Sequence, residues 1–208
     1  MSTLPFDHPG ARIAFDAVVV AFVLSELSVR LRSERHRGGS RTDRTSLLVV
    51  QVTAIGGVGG AVLLTRRLPG AALAGARWPL FVAGLALMCA GIAVRQWAVA
   101  TLGRFFTIDV RVQPDQTVVD GGPYRWVRHP SYTGLILTFL GFGLALGNSA
   151  ALAVAFLVPT AGLVYRIHVE EPPCSTAWAS RTGALRRAAR ACFPASGETD
   201  LTGERVFV

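Results

Sequence analysis

The sequence contains no lysine, and charged residues of every kind are scarce. Only 16% of its 208 residues are charged, whereas a soluble domain carries about 25%. Hydrophobic residues make up 51% of the chain, and the mean hydropathy is +0.43. This shortage of charge, together with long apolar runs, argues against an ordinary soluble domain and predicts a polytopic membrane protein.

Cysteine motifs and a leader sequence are also missing. Cys89, Cys174 and Cys192 show no CxxC motif and no His/Cys spacing, so we predict neither a disulfide framework nor a metal site. The first residues, MSTLPFDHPGAR, lack the charged and apolar regions of a removable signal peptide. All basic residues are arginines that lie between apolar runs, so we assign the net charge of +8 to membrane orientation and not to nucleic-acid binding.

Five apolar runs are candidate membrane-spanning helices. They cover about residues 13–29, 46–64, 78–100, 131–146 and 150–167. We therefore predict an all-α integral membrane domain over residues 1–171. Only Gly147–Ser149 separates the last two runs, which predicts a tight antiparallel hairpin. The small residues of Ala54–Val62 should let a neighbouring helix approach closely.

The placement of charges predicts the orientation of the chain. With five spans, the first loop, the loop after the third span and the C-terminal tail share one side and hold most of the arginines. The positive-inside rule puts that side in the cytoplasm and the N-terminus outside, and we expect the membrane to be a bacterial inner membrane. An acid inside a span is a candidate functional residue. Asp16 and Glu26 lie near the ends of the first span, however, so we expect both to reach the interface.

Polar residues flank the predicted hairpin on both sides. One cluster precedes the fourth span and the other follows the fifth. They consist of Tyr124, Arg128, His129 and Tyr132, and of Arg166, His168, Glu170 and Glu171. Because the two ends of a hairpin lie together, we expect the clusters to meet at the cytoplasmic face. They are either interfacial anchors, for which Arg, Tyr and Trp are common, or an active site. The loop Thr101–Pro130 is expected to be structured, with a β-like turn around Val110–Val119.

A known family shows the same order of motifs. The motif GPYRWVRHPSYTG, a hydrophobic hairpin and YRIHVEE follow one another between about Trp78 and Glu171. This arrangement resembles the isoprenylcysteine carboxyl methyltransferase (ICMT) family, and Arg95–Gly134 resembles its bacterial branch throughout. It also resembles the related membrane phospholipid methyltransferases. The resemblance implies a membrane methyltransferase, with its catalytic portion at about 95–171, that holds S-adenosyl-L-methionine in a cytoplasmic cap over the last helices. The absence of a GxGxxG motif after a strand fits that expectation.

The resemblance also implies two sets of site residues. The cofactor-binding set consists of Tyr124, His129, Pro130, Tyr132, Glu170 and Glu171. The catalytic set consists of Arg128, Arg166 and Glu171. Within these sets, His129 and Tyr132 fall at cofactor-contacting positions. The Glu170–Glu171 pair is expected to close the site near the ribose and amino-acid end of the cofactor.

These residue types suit methyl transfer to a carboxylate. A carboxylate is already ionised at neutral pH, so the enzyme mainly has to position it, which is worth up to about 7–11 kcal/mol. An arginine can orient a carboxylate with two hydrogen bonds. An amine nucleophile would instead need Glu or His as a base.

We therefore expect a carboxyl O-methyltransferase that acts on a prenylated or lipid-like substrate entering from the bilayer. One alternative is a phospholipid amine N-methyltransferase. The alternatives from other classes are an NADPH-dependent enzyme similar to sterol reductases, which share an HPxY-type hairpin, and a non-catalytic membrane protein.

Two features depart from the family pattern. Members often carry Arg where this chain has His168, so one cationic contact is expected to depend on pH. After Glu171, the sequence EEPPCSTAWASRTG lacks the Leu-rich helix and the Gly-x-x-Tyr-x-x-Tyr-like pattern of relatives. A shifted reading of the codons for Pro173–Gly183 can encode a similar pattern. We therefore hypothesise a frameshift near Pro172 that makes 172–208 an atypical tail, which sequencing of the gene would test.

Overall fold

The computed structural model describes residues 5–35, 45–73, 75, 77–103 and 121–170. Its five α-helices are α1 (Pro9–Arg35), α2 (Thr45–Arg67), α3 (Arg77–Leu102), α4 (Pro130–Ala145) and α5 (Ser149–Glu170). Four of the five predicted apolar runs lie within one of these helices, and the run 131–146 extends one residue beyond α4. The all-helical prediction is therefore confirmed for the residues that the structure describes. The β-like turn predicted at Val110–Val119 and the tail 172–208 lie outside the described residues.

Three helices are long and apolar enough to cross a membrane. They are α2, α3 and the portion Ser149–Val169 of α5. Helix α4 is apolar but has 16 residues, a length of about 24 Å at 1.5 Å per residue. Helix α1 has 27 residues but carries acids within its length, among them Asp16 and Glu26. Five helices are therefore confirmed, whereas membrane crossing by α1 and α4 stays a prediction.

The predicted hairpin between α4 and α5 is present, and its turn is built around Asn148. The side-chain Oδ1 of Asn148 accepts a hydrogen bond from the Ala151 N–H at 3.0 Å, which caps the first turn of α5. Its Nδ2 donates to the carbonyl of Leu68 at 2.8 Å and ties the turn to the end of α2. Gly147 has a φ of +63°, a conformation that glycine adopts without steric cost.

Helices α3 and α4 meet along a line of glycines. A Cβ atom on Gly91 would lie 2.5 Å from the carbonyl oxygen of Gly134, and one on Gly141 would lie 2.5 Å from the carbonyl oxygen of Gly84. The two backbones are therefore in direct contact, as small residues allow in membrane helices. Helix α5 packs mainly against α2. There a Cβ on Gly57 would lie 2.7 Å from the ring of Pro159, which confirms the close approach predicted for Ala54–Val62.

Helix α1 packs against α4 partly through phenylalanines. The ring of Phe15 lies 5.6 Å from that of Phe142, and the ring of Phe22 lies 6.1 Å from that of Phe139, measured between centroids. These contacts run from the first half of α1 along α4. Successive helices are antiparallel, so the starts of α2 and α4 lie at the same end of the bundle as the ends of α1, α3 and α5.

Gly91→Ala should destabilise the protein, because its methyl group would strike the Gly134 carbonyl. Overpacking of this kind costs about 1–3 kcal/mol. Gly56→Ala is the matched control, since a Cβ at Gly56 meets nothing within 4 Å and alanine favours a helix by about 0.5–1 kcal/mol. Thermal unfolding in detergent measures both. A melting temperature for Gly91→Ala equal to that of Gly56→Ala would contradict the direct backbone contact.

Candidate active site

The RHPxY motif forms the start of α4. Pro130 is buried at the first helical position, where its fixed φ suits a helix and its missing N–H is not needed. The carbonyl of His129 accepts the N–H groups of Tyr132 at 3.1 Å and Thr133 at 3.0 Å. The rings of His129 and Tyr132 stack with centroids 5.6 Å apart and planes 18° apart. The motif is therefore a folded turn that presents these two side chains together, and both are half-buried.

Arg166 joins the end of α5 to this turn. Its side chain is buried, with only 3% of the residue exposed. Its Nε donates to the Tyr132 hydroxyl at 2.9 Å, and its Nη1 donates to Ser46 Oγ at the start of α2, also at 2.9 Å. A hydrogen bond to a charged group contributes about 1.5–3 kcal/mol. The expected meeting of the two polar clusters is thus confirmed for Tyr132 and Arg166.

A second buried arginine lies about two turns before the end of α3 and was not among the predicted site residues. Arg95 is 8% exposed. Its Nε and Nη2 both donate to the carboxylate of Glu26, the latter at 2.8 Å. Its Nη1 donates to Ser131 Oγ at 2.6 Å and to the Ser131 carbonyl at 3.3 Å. The carboxylate of Glu26 therefore forms a bidentate ion pair within the bundle. That Glu26 reaches the membrane interface stays a prediction. Asp16 is exposed, and its position at the membrane interface stays a prediction.

The two arginines hold consecutive residues in the first turn of α4. Arg95 binds Ser131, and Arg166 binds Tyr132. A signal for Arg95 was present in the sequence. Apart from the first residue of α3, it is the only charged residue in that apolar helix, and the predicted topology brings Glu26 to the same end of the bundle. Opposite charges inside membrane helices usually pair with one another. Ser46, as a serine at a helix start, carried no such signal.

The turn that precedes α4 packs on the end of α3. Gly122, with a φ of +59°, approaches α3 so closely that a Cβ would lie 2.7 Å from Thr101 Oγ1. The Trp97 and Trp126 rings lie 6.0 Å apart, and Trp126 is 70% exposed. An exposed tryptophan beside apolar helices is typical of a membrane interface. Trp126 therefore fits the interpretation of the motif as a membrane anchor, while Tyr132 fits its interpretation as an active site.

Tyr124 lies in the 3₁₀ turn Gly122–Arg125 and is half-buried. Burial raises the pKa of its phenol to about 12, while the nearby positive charge of Arg95 acts in the opposite direction. The phenol is therefore neutral at physiological pH, so it is a hydrogen-bond donor and carries no negative charge.

The remaining predicted residues occupy different surroundings. Arg128 and His168 are exposed, and Nδ1 of His168 lies 2.9 Å from the carbonyl of Val164 on its own helix. Glu170 is the last residue of α5, and its side chain is not described. Glu171 lies outside the described residues. Among the side chains that the structure describes, no group of three His, Cys, Asp or Glu residues is placed to hold a metal ion.

The fold and the site together define a class of protein. It is an apolar helical bundle, three of whose helices can cross a membrane, with two buried guanidinium groups and a His–Tyr ring pair at one end. Such a site is suited to holding an anionic group and a planar ring at the boundary of a membrane.

Comparisons with known proteins show which family this chain is similar to. Residues 84–174 match the model of the isoprenylcysteine carboxyl methyltransferase (ICMT) family. Over 98 residues the chain is 34% identical to "Protein-S-isoprenylcysteine O-methyltransferase B" of Arabidopsis thaliana, covering 46% of this chain and 47% of the relative. Over 92 residues it is 34% identical to the protein-S-isoprenylcysteine O-methyltransferase of Saccharomyces cerevisiae, covering 43% and 38%. Over 47 residues it is 40% identical to "Uncharacterized protein YpbQ" of Bacillus subtilis, covering 23% and 28%.

The matched segments span about half or less of the length of these relatives. The segment that matches the family model contains Arg95, Tyr132 and Arg166, which form the centre of the buried-arginine site. Glu26 and Ser46 lie outside it. The resemblance expected from the motifs is therefore supported over the part of the chain that carries the site.

The raised pKa of the Tyr124 phenol can be measured directly. Tyr124 should ionise near pH 12 in the folded protein, so Tyr124→Phe should remove a step near pH 12 from a titration of phenolate absorbance. A phenol with a raised pKa contributes stability that is fully present below its unfolded value of about 10. That contribution is lost as the pH rises through about 12. Loss of a step near pH 10 in the variant would show that the phenol is not buried.

Proposed function

We propose that this protein is an integral-membrane S-adenosylmethionine-dependent carboxyl O-methyltransferase that acts on a prenylated or other lipid-like substrate. One observation carries the proposal. The segment that matches a family of isoprenylcysteine carboxyl methyltransferases supplies the buried Arg166, its partner Tyr132 and the buried Arg95 at one end of an apolar bundle. A lipid-modified substrate can reach that end from the bilayer, and a guanidinium is suited to hold its carboxylate.

The side chains at this end fit S-adenosylmethionine by their chemistry. The stacked rings of His129 and Tyr132 are suited to contact a planar base. The buried guanidinium of Arg166 is suited to a carboxylate, which occurs both in this cofactor and in the proposed methyl acceptor. When bound, the cofactor supplies a methyl group activated on a sulfonium.

The residues of the chain then have separate roles in the proposal. Arg166 orients the carboxylate of the acceptor, and the guanidinium is held by its hydrogen bond to the Tyr132 hydroxyl at 2.9 Å. Arg128, which is exposed, is the second arginine to which we assign binding of this anion. Tyr124 and Pro130 shape the wall of the site. Because the acceptor carboxylate is already ionised, no strong base is needed. Holding this carboxylate in line for methyl transfer accounts for most of the rate acceleration.

The closing of the site is assigned to Glu170, the last residue of α5, and to Glu171, which follows it in the sequence. Their carboxylates would offset the positive amino-acid end of the cofactor. The family match ends at residue 174, close to the proposed frameshift near Pro172. In this proposal the sequence 172–208 lacks the Leu-rich pattern that follows the Glu pair in relatives. The strength of cofactor binding then depends on Glu170 and Glu171, the residues assigned to close the site.

The orientation proposed for the chain puts the site end in the cytoplasm of a bacterium and the N-terminus outside its inner membrane. The arginine distribution supports it. Six arginines fall between residues 30 and 44 of the sequence, around the connection from α1 to α2 at the end that holds the site, whereas Arg12, Arg66, Arg67 and Arg77 belong to the opposite end. The positive-inside rule then favours a cytoplasmic site.

Ligand binding and product chemistry test the proposed function. Calorimetry on the detergent-purified protein should detect binding of S-adenosylhomocysteine and none of NADPH. Labelled methyl groups should pass from S-adenosylmethionine to the carboxylate of an N-acetylated S-prenyl cysteine, giving an ester that base hydrolyses. Binding of NADPH alone would favour the reductase class. A base-stable product on a phospholipid amine would favour N-methylation, and neither ligand binding would favour a non-catalytic protein.

Arg166→Lys tests whether the buried Arg166 contributes more to methyl transfer than the exposed Arg128. Lysine keeps the positive charge but loses the planar fork that binds a carboxylate and the Tyr132 hydroxyl together. We expect kcat/KM for methyl transfer to fall about 10- to 100-fold, which corresponds to the loss of a hydrogen bond to a charged group. Arg128→Lys is the matched control and should have the smaller effect, because that side chain is exposed. Equal effects of the two substitutions would contradict the role given to Arg166.

A further inference from the structure

Glu26 connects α1 to a site whose other central residues lie in α3, α4 and α5. Its carboxylate contacts Arg95, and both side chains are largely removed from solvent, with 23% and 9% of their areas exposed. Burying a carboxylate and a guanidinium has a desolvation cost that only close, multiple hydrogen bonds offset. Glu26 lies outside the segment that matches the family model.

Docking of α1 on α3 does not by itself explain this ion pair. The neighbouring residues already connect the two helices without any charge. Gln96 Nε2 donates to Ser25 Oγ at 2.5 Å and to the Ser25 carbonyl at 3.3 Å. The Ser25–Gln96 pair ends at α3, whereas the Glu26–Arg95 pair continues through Arg95 to Ser131 of α4.

The contacts of Arg95 transmit the position of Glu26 to the site. Nη1 of Arg95 holds both the hydroxyl and the carbonyl of Ser131. The backbone of α4 lies directly on Arg95, since a Cβ at Gly134 would be 2.8 Å from the Arg95 Cβ. The residue after Ser131 is Tyr132, whose hydroxyl accepts from Arg166. A shift of the Arg95 guanidinium therefore moves the turn that carries Tyr132.

We propose that Glu26 is a positioning residue: by holding Arg95 in place, it fixes the first turn of α4 and so sets the geometry of the Tyr132–Arg166 pair. The inference rests on the proposed methyltransferase function. It makes α1 a part of the catalytic unit, although the matched segment begins at residue 84.

Glu26→Ala and Ser25→Ala form a matched pair of variants on the same helix. Both weaken the contact between α1 and α3, but only the first releases Arg95 from its orientation. The measurements are kcat and KM for methyl transfer, expressed per S-adenosylhomocysteine-binding site, and the melting temperature in detergent. Glu26→Ala should lower kcat/KM per site by about 10²-fold, the effect of a misplacement of about 1 Å. Ser25→Ala should lower the melting temperature and leave the rate per site unchanged.

A charge exchange separates positioning from docking. The double variant Glu26→Arg with Arg95→Glu restores an ion pair between α1 and α3, but glutamate has no donor for the Ser131 carbonyl. We expect its melting temperature to recover relative to Glu26→Ala while kcat/KM stays low. Recovery of both would mean that Glu26 only docks α1, and would overturn the inference. If the exchanged pair does not fold, Ser131→Ala tests the same step, because it keeps both charges and removes the Oγ contact. An unchanged rate per site in Ser131→Ala would also overturn it.

Failure of this inference is distinguishable from failure of the proposed function. A wild-type protein that neither binds S-adenosylhomocysteine nor transfers methyl groups would overturn both. A wild-type protein that does both, with a Glu26→Ala variant equally active per site, would overturn only the role of Glu26.

Discussion

Two guanidinium groups that cannot be deprotonated are buried at one end of an apolar bundle, and each has to be compensated where it lies. Arg95 is compensated by the Glu26 carboxylate and by Ser131, and Arg166 is held by the Tyr132 and Ser46 hydroxyls. These partners come from α1, α2 and α4. Breaking a buried ion pair by removal of one partner costs about 3–5 kcal/mol, so the helices at this end are constrained together. The first turn of α4, which both arginines contact, is the element that this constraint fixes most directly.

The close packing of backbones makes these contacts possible. Arg95 reaches Ser131 because α3 and α4 touch along Gly84, Gly91, Gly134 and Gly141. A larger residue at any of these positions would separate the two helices and lengthen the hydrogen bonds of Arg95. The opposite end is fixed independently by Asn148, which ties the α4–α5 turn to the end of α2. The site is therefore built on helices whose packing is fixed by these contacts.

Much of the fold was predictable from the sequence, because apolar runs bounded by arginines and glycines mark helices clearly. All five runs correspond to helices, and the hairpin around Gly147 follows from its short connection. The site was only partly predictable. The meeting of Tyr132 with Arg166 follows from the hairpin, but the Glu26–Arg95 pair depends on the rotation of α1 about its axis, which a short apolar run does not specify. The glycine contacts likewise depend on which faces of α3 and α4 oppose each other.

The central claim is that the end of the bundle that holds Arg95, Arg166 and the RHPxY turn is the site of methyl transfer. An experimental structure of the full chain with S-adenosylhomocysteine bound in a lipid nanodisc would test this claim most directly. We predict ligand density at the start of α4, in contact with His129 or Tyr132 and within hydrogen-bonding distance of a residue at the end of α5. Density at the opposite end, near Asn148, or on an outer face of the helices away from both arginines would contradict the account.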